Sequence, residues 1–162
     1  MAKDHIELKK TDSILDDLKR LHDKISRRAY EFFRQQDGPY ADALADWLRA
    51  ERELVWSPAI ELRQKGDQFK IEAAMAGVDP KNLDIQVTPE DLLIKASTQH
   101  QHEEKTGTVH QCEFQSGQLF RSVHLPARID PESVKADYRN GMLHLTASLA
   151  KTTPKKIDVQ AA

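Results

Sequence analysis

The spacing of the apolar residues changes once along the chain, and this change limits the possible folds more than any other feature. Up to about Trp56 the apolar residues recur every three or four positions, which is the period of an amphipathic helix. Beyond Pro58 they alternate with polar residues, as in strands with one buried face. The residue before a proline disfavours the helical conformation, so Ser57-Pro58 marks the boundary. The sequence therefore predicts a helical region over residues 1–55, a β domain over 56–150 and a tail over 151–162.

The helical region predicts a hairpin of two helices. Ser13 and Asp16 have the spacing of a capping box at the start of the first helix. Asp37-Gly38-Pro39 ends it, because proline cannot continue the helical hydrogen bonds. A hairpin this small buries little surface by itself, so we expect it to dock on another surface. The two apolar stripes consist of Ile14, Leu18, Leu21, Ile25, Ala29 and Phe32, and of Tyr40, Leu44, Trp47, Leu48 and Leu54.

The β region predicts a sandwich of six or seven short strands. Residues 69–73, 83–87 and 143–147 alternate cleanly and are bounded by turn residues. Asn140-Gly141 is the strongest hairpin signal, because a type I′ turn needs positive φ at both central residues.

Four motifs in this region occur in the order found in one family. Residues 136–143 fit the pattern A-x-x-x-N-G-V-L with Met142 at the Val position, and residues 117–126 fit G-x-F-x-R-x-F-x-L-P with Leu119 and Val123 at the Phe positions. Residues 75–78, Met-Ala-Gly-Val, stand where the family has L-P-G-V, and Ile157-Asp158-Val159 matches an I-x-I/V tail. From about residue 57 to 159 the chain resembles the α-crystallin domain of small heat-shock proteins of the bacterial and plant type. The resemblance implies a mainly β, immunoglobulin-like α-crystallin sandwich preceded by the helical hairpin.

The resemblance also implies an assembly site. In relatives the tail pair, here Ile157 and Val159, fills an apolar groove on a neighbouring subunit by adding a strand to a sheet edge. The alternative is an ordinary solvated tail. The residues that would line the groove are Leu83, Ile85, Val87, Val134, Ala136 and Tyr138.

A dimer interface is implied in the same way. Arg121 matches an arginine that pairs with carboxylates at the family's dimer interface, and the alternative is a surface arginine. Residues 97–113 form a long polar connection, and Thr108–Phe114 matches the position of a strand exchanged with the partner subunit. Val109, Gln111 and Glu113 on this strand are predicted to contact the partner.

The long connection also contains metal-ligand residue types: His100, His102, His110 and Cys112. Solvated histidines and a structural cysteine are the more common outcome in a polar loop, so the sequence predicts no metal and no cofactor. A single cysteine cannot form an internal disulfide. Neither a nucleotide-binding loop nor a hydrolase motif occurs, so no enzyme is predicted.

The implied function is that of an ATP-independent holdase, which binds partly unfolded proteins as a homo-oligomer of at least two subunits. The alternative is a non-chaperone interaction adaptor with a similar sandwich. The net charge of −2, the absence of a signal-like start and the short apolar runs indicate a cytoplasmic protein with no nucleic-acid or membrane partner. Residues 16–54 resemble a short bacterial helical domain of unknown function, which replaces the family's disordered arm and favours a small oligomer. The candidate client contacts in this helical region are Phe32, Phe33, Tyr40 and Trp47. Aromatic residues at helical spacing are, however, more often buried in a core.

Overall fold

A computed structural model of the chain describes residues 6–11, 13–36, 42–102, 104 and 106–151. Helices α1 (Leu15–Gln35) and α2 (Ala43–Leu54) lie between a first strand and the remaining strands. The described strands are β1 (Glu7–Lys10), β2 (Val55–Trp56), β3 (Ile60–Lys65), β4 (Gln68–Ala74), β5 (Leu83–Val87), β6 (Asp91–Thr98), β7 (Gly117–His124), β8 (Lys135–Arg139) and β9 (Met142–Ser148). No helix in these ranges is both long and apolar enough to cross a membrane.

The strands form the predicted sandwich. One sheet has the order β1-β5-β6-β7-β2 and the other has the order β3-β4-β9-β8. Alternate residues of each strand face the space between the sheets, so that Ile71, Ile94 and Leu145 are buried there. The prediction of a β-sandwich behind a helical hairpin is confirmed. The described part of the chain has two strands that the apolar alternation did not reveal, the short strands β1 and β2.

The predicted tight turn joins β8 to β9. Asn140 has φ 52° and Gly141 has φ 75°, as a type I′ turn requires. The turn lies against the segment after β4, where the N–H of Met75 donates to the carbonyl of Gly141 over 2.8 Å. A side chain at Gly141 would place its Cβ 3.1 Å from the Cα of Ala76. Glycine is therefore needed here for its φ and for its size.

The two helices pack against each other through a small core of Ile25, Ala29, Phe32 and Ala50. The Asp42 side chain caps α2 by accepting from the N–H groups of Leu44 and Ala45. The capping box predicted for α1 is wrong. The Ser13 hydroxyl accepts from the N–H of Leu15 over 3.1 Å, because the helix begins one residue later than the box requires.

The hairpin docks on the outer face of the five-stranded sheet, as expected from its small core. Ile14 is buried against Leu93 of β6 and Phe120 of β7. Beside this contact the carboxylate of Asp17 lies 3.2 Å from Lys95 Nζ and accepts from Gln86 Nε2 over 2.8 Å. Burial acts to raise the pKa of Asp17, but the hydrogen bonds from Gln86 and Lys95 and the Lys95 charge outweigh it and lower that pKa. The charged form of Asp17 therefore stabilises the docked hairpin.

Candidate functional site

The candidate site is the edge of the sandwich where β8 is the last strand of one sheet and β5 is the last but one of the other. The structure gathers all six predicted groove residues into the central apolar cluster. Val134 is buried, while Ala136 and Tyr138 of β8 pack against the cluster from its edge. The three β5 residues, Leu83, Ile85 and Val87, are almost fully buried.

This edge is covered by strand β1 of the same chain. Strand β1 pairs with β5 in parallel, with Leu8 opposite Ile85 and Lys10 opposite Val87. The N–H of Thr11 extends the pairing by donating to the Val87 carbonyl over 3.0 Å. Ile6 and Leu8 pack against the core, whereas Glu7 and Lys9 face outward. Thus residues within the region predicted as helical contribute a strand to the sandwich.

The sequence contains a short signal for this strand, which the helical period of the surrounding region does not predict. Ile6-Glu7-Leu8 has the same apolar-acidic-apolar pattern as Ile157-Asp158-Val159, the predicted tail motif. Alternate residues of an extended segment point the same way, so both segments present two apolar side chains to one surface. The tail residues themselves lie outside the described residues.

Strand β1 is held at its outer side by exposed charges. Lys9 Nζ lies 3.5 Å from Asp84 and 3.3 Å from Glu7. Lys10 forms an ion pair with Glu132, which lies just before β8, so this pair links the margins of the two sheets. Exposed pairs of this type each contribute about 0–1 kcal/mol. Most of the stabilisation of β1 therefore comes from its backbone pairing and from two apolar side chains.

Tyr138 connects β8 to the segment that follows β4. Its hydroxyl donates toward the carbonyls of Met75 and Val78, at 2.8 and 3.0 Å. Burial, and secondarily the charge of Asp79, raises the pKa of Tyr138 above its ordinary value. The neutral phenol thus connects β8 to the same segment that contacts Gly141.

Arg121 lies on β7 opposite Ile94 and is partly buried. Its Nε is buried without a hydrogen-bond partner among the described residues. A buried donor without a partner is costly. Pairing of Arg121 with a carboxylate at a dimer interface stays a prediction.

The connection between β6 and β7 contains no strand in its described part. Val109, Gln111 and Glu113 are all exposed, and the Gln111 side-chain amide donates to Glu113 over 2.8 Å. Exchange of this segment with a partner stays a prediction. The connection does bring together His100, His102 and Cys112, but His110 is not part of that cluster.

The candidate client contacts on the hairpin differ in their accessibility. Phe32 is 3% exposed, and the guanidinium groups of Arg28 and Arg49 lie 4.4 and 3.9 Å from its ring centroid. Trp47 is partly buried against the hairpin core. Phe33 is 44% exposed, and Tyr40 lies outside the described residues. Further large apolar side chains are exposed on the helices but were not among the predicted client contacts, namely Leu15, Tyr30, Leu44 and Leu48. Leu44 and Leu48 belong to the apolar stripe predicted for the second helix, so this part of the stripe is not buried.

The β5 edge of the sandwich thus carries an added strand from the same chain, as in intramolecular β-augmentation. The chain matches the Hsp20/alpha crystallin family over residues 61–160 and therefore belongs to that family. Residues 20–55 match a second family, described as a protein of unknown function (DUF2934). The family is one of small heat shock chaperones rather than enzymes, so membership supports a chaperone role.

Similar proteins come from several groups of organisms. Small heat shock protein C2 of Rickettsia felis is 30% identical over 96 residues, which cover 59% of this chain and 61% of that relative. The match thus spans less than two thirds of that relative. Alpha-crystallin of Mycobacterium tuberculosis is 30% identical over 102 residues, covering 62% of this chain and 68% of the relative.

Solved structures share the sandwich. A small heat-shock protein from Xylella fastidiosa matches with a TM-score of 0.53 and 26% identity, over 65% of this chain and 98% of that chain. That structure is described as revealing a distinct high order structure. Heat shock protein 16.0 from Schizosaccharomyces pombe matches with a TM-score of 0.54 and 23% identity, over 65% of this chain and 99% of that chain. The second likeness concerns the fold alone.

Proposed function

We propose that the chain is an ATP-independent holdase of the cytoplasm that binds partly unfolded proteins and prevents their aggregation. One observation carries the proposal: the β5 edge holds an extended apolar-x-apolar segment, Ile6-Glu7-Leu8, through backbone pairing and two apolar side chains. Partly unfolded proteins expose segments of this kind, and such segments aggregate when they are not covered. Backbone pairing is independent of client sequence, which suits a holdase with many clients.

The helical hairpin supplies a second proposed client surface. Tyr30 and Phe33 are three residues apart on α1, and Leu44 and Leu48 are four residues apart on α2. Residues with these spacings are neighbours on one helix face. All four side chains are exposed, so each helix presents a pair of large apolar groups to a client.

Assembly is proposed to use the same groove. Ile157 and Val159 of one subunit would replace Ile6 and Leu8 in the groove of another, so that the tail and β1 compete for one edge. The dimer would form through an exchanged strand carrying Val109, Gln111 and Glu113, with a partner carboxylate at Arg121. In this scheme residues 1–55 and 56–150 supply the client surfaces, and residues 151–162 connect subunits.

Turbidity of a heat-labile enzyme, heated with the purified chain in the absence of ATP, tests the holdase proposal. We expect suppression at equimolar ratio. Leu8→Asp should strengthen it by releasing β1 and opening the groove, because a carboxylate opposite Ile85 is costly to bury. Glu7→Gln, on the outward face of the same strand, is the matched control and should behave as the wild type.

A second pair of variants tests the hairpin surface. Phe33→Ser removes an exposed apolar group and should weaken suppression, whereas Arg34→Ser, at the neighbouring exposed position, should not. If the wild-type chain and Leu8→Asp both fail to suppress aggregation at equimolar or higher ratio, the holdase proposal is wrong, and the adaptor alternative gains support.

A further inference from the structure

Three metal-ligand side chains converge at the base of the connection between β6 and β7. His100 and His102 follow the end of β6, and Cys112 lies on the part of the chain that returns to β7. One ligand atom from each, two imidazole nitrogens and the thiol sulfur, lie within 4.8 Å of one another.

The two limbs that carry these ligands are fixed to each other close by. Thr98 and Gly117 are the last residues paired between β6 and β7, and the Thr98 hydroxyl also donates to the Gly117 carbonyl over 3.2 Å. Beyond that pair the N–H of His100 donates to the Ser116 hydroxyl over 3.1 Å. His100 and His102 therefore lie only two and four residues after the last paired residue of β6, Thr98.

Aromatic packing orients the first ligand. The His100 ring stacks on Phe114, with centroids 4.1 Å apart and an interplanar angle of 14°. The His102 ring meets His100 edge-on at 5.0 Å between centroids. Stacking holds the His100 imidazole against the returning limb, which is the limb that carries Cys112.

We propose that His100, His102 and Cys112 bind a Zn²⁺ ion, with water in the fourth position. Zn²⁺ takes nitrogen at about 2.0–2.1 Å and thiolate at about 2.3 Å in a tetrahedron. These lengths place the ligand atoms about 3.3–3.6 Å apart, so separations of up to 4.8 Å have to shorten by at most about 1.2–1.5 Å. The side chains of His102 and Cys112 are exposed, so no packed neighbours hold them in their present rotamers. Two imidazoles and one thiolate form a donor set that favours Zn²⁺ over Mg²⁺ or Ca²⁺.

Binding has a structural consequence for the loop. The metal would connect the two limbs above the β6–β7 ladder and shorten the free part of the connection to residues 103–111. Val109 and Gln111 lie in that part and Glu113 lies just outside it. If the proposed exchange of this segment is correct, Zn²⁺ regulates it. The metal site itself does not depend on the exchange.

Cobalt substitution tests the site in the full chain, with the thiol kept reduced by a phosphine. Co²⁺ bound by a thiolate in a tetrahedral site gives strong visible absorption and a near-ultraviolet thiolate-to-metal band, and added Zn²⁺ should abolish both with one equivalent per chain. Cys112→Ser should remove the near-ultraviolet band, and His102→Ala should weaken Zn²⁺ binding at least tenfold. His110→Ala removes a histidine of the same loop that is not part of the cluster, and it should bind Zn²⁺ like the wild type.

Loop protection provides a readout that does not use cobalt. Amide hydrogen exchange in peptides covering residues 99–116 should slow when Zn²⁺ is added to the wild type and stay unchanged in Cys112→Ser. The ligands lie on an exposed connection, so unchanged circular dichroism is expected for each variant. A weak octahedral cobalt spectrum in the wild type would overturn the proposal. So would equal Zn²⁺ affinity of wild type, Cys112→Ser and His102→Ala, or a loss in His110→Ala as large as that in His102→Ala.

Discussion

Replacing Gly141 by alanine should destabilise the sandwich through two separable costs. The first is the backbone conformation: φ is 75° at Gly141, and a residue with a Cβ pays about 1–2 kcal/mol in the left-handed region. The second is contact, because the new Cβ would lie 3.1 Å from the Cα and 3.2 Å from the Cβ of Ala76. Forced contacts of this kind cost about 1–3 kcal/mol. The expected loss in the free energy of unfolding is therefore about 2–5 kcal/mol.

Gly66→Ala separates these two costs. Gly66 has a similar φ of 61°, but an added Cβ would meet nothing within 4 Å. In this variant the free energy of unfolding should fall only by the cost of the left-handed backbone conformation, about 1–2 kcal/mol. The difference between the two alanine variants then measures the packing of the β8–β9 turn on Ala76, and we expect it to be about 1–3 kcal/mol.

Urea unfolding followed by tryptophan fluorescence measures both variants. Trp56 donates its indole N–H to the Thr98 hydroxyl over 3.1 Å, so its emission reports on the sandwich. A Trp47→Phe background removes the signal of the hairpin. All variants are compared at one protein concentration, because assembly contributes to apparent stability. If the two alanine variants agree within about 0.5 kcal/mol, the close approach to Ala76 contributes nothing and the reasoning is refuted.

Three further predictions concern assembly and docking. Replacing Ile157 and Val159 together by serine should reduce the oligomer mass in light scattering, while Asp158→Asn should not; an unchanged mass in the serine variant would exclude tail docking. Arg121→Gly should lower the dimer fraction in sedimentation, since losing one partner of a partly buried ion pair costs about 3–5 kcal/mol. Arg139→Gly removes an exposed arginine paired with Asp137 and should leave the dimer intact. The folded pKa of Asp17 is lowered, so its contribution to hairpin docking is complete above its ordinary value of 3.8 and is lost as the pH falls below it. Trp47 fluorescence should report this loss, and Asp17→Asn, but not Asp23→Asn, should abolish the pH dependence.

The parts of the fold that the sequence predicts are those determined by local patterns. Strand β9 shows five clean alternating residues, Leu143–Ala147, and the preceding Asn140-Gly141 permits only a narrow range of turns. Each of these signals depends on neighbours within a few residues, so no knowledge of the tertiary structure is needed to read them.

Strand β1 shows where this approach fails. Glu7-Leu8-Lys9-Lys10 contains one apolar residue, and its partner strand begins at Leu83. Such a segment becomes a strand because it covers a distant edge. Its local signal is the alternation of Ile6-Glu7-Leu8, and three residues are too few to distinguish a strand from a loop. Asp17 is similar: an acidic residue in the first turn of a helix suggests a solvated charge, but docking brings it against Lys95.

The candidate sites follow the same division. The strands that carry the six predicted groove residues could be located because the motifs fix them, but the pairing of β1 with β5 could not be predicted. The convergence of His102 with Cys112 depends on the path of a long connection between two paired strands. Residue type alone indicated solvated histidines there, and only the course of the returning limb brings them to the thiol.

The order of synthesis gives β1 a further consequence. It leaves the ribosome before its partner strand, because the edge that it covers is made only when residues 83–87 have emerged. Pairing β1 with β5 closes a long loop, and the entropic cost of closure grows with the logarithm of the loop length. The contacts of one short strand are all that offset this cost. Contacts of this range slow folding, because the loop has to close before they stabilise the chain. Each new copy therefore passes through a stage in which its sandwich edge is exposed, and copies translated side by side on one messenger RNA can meet at that stage.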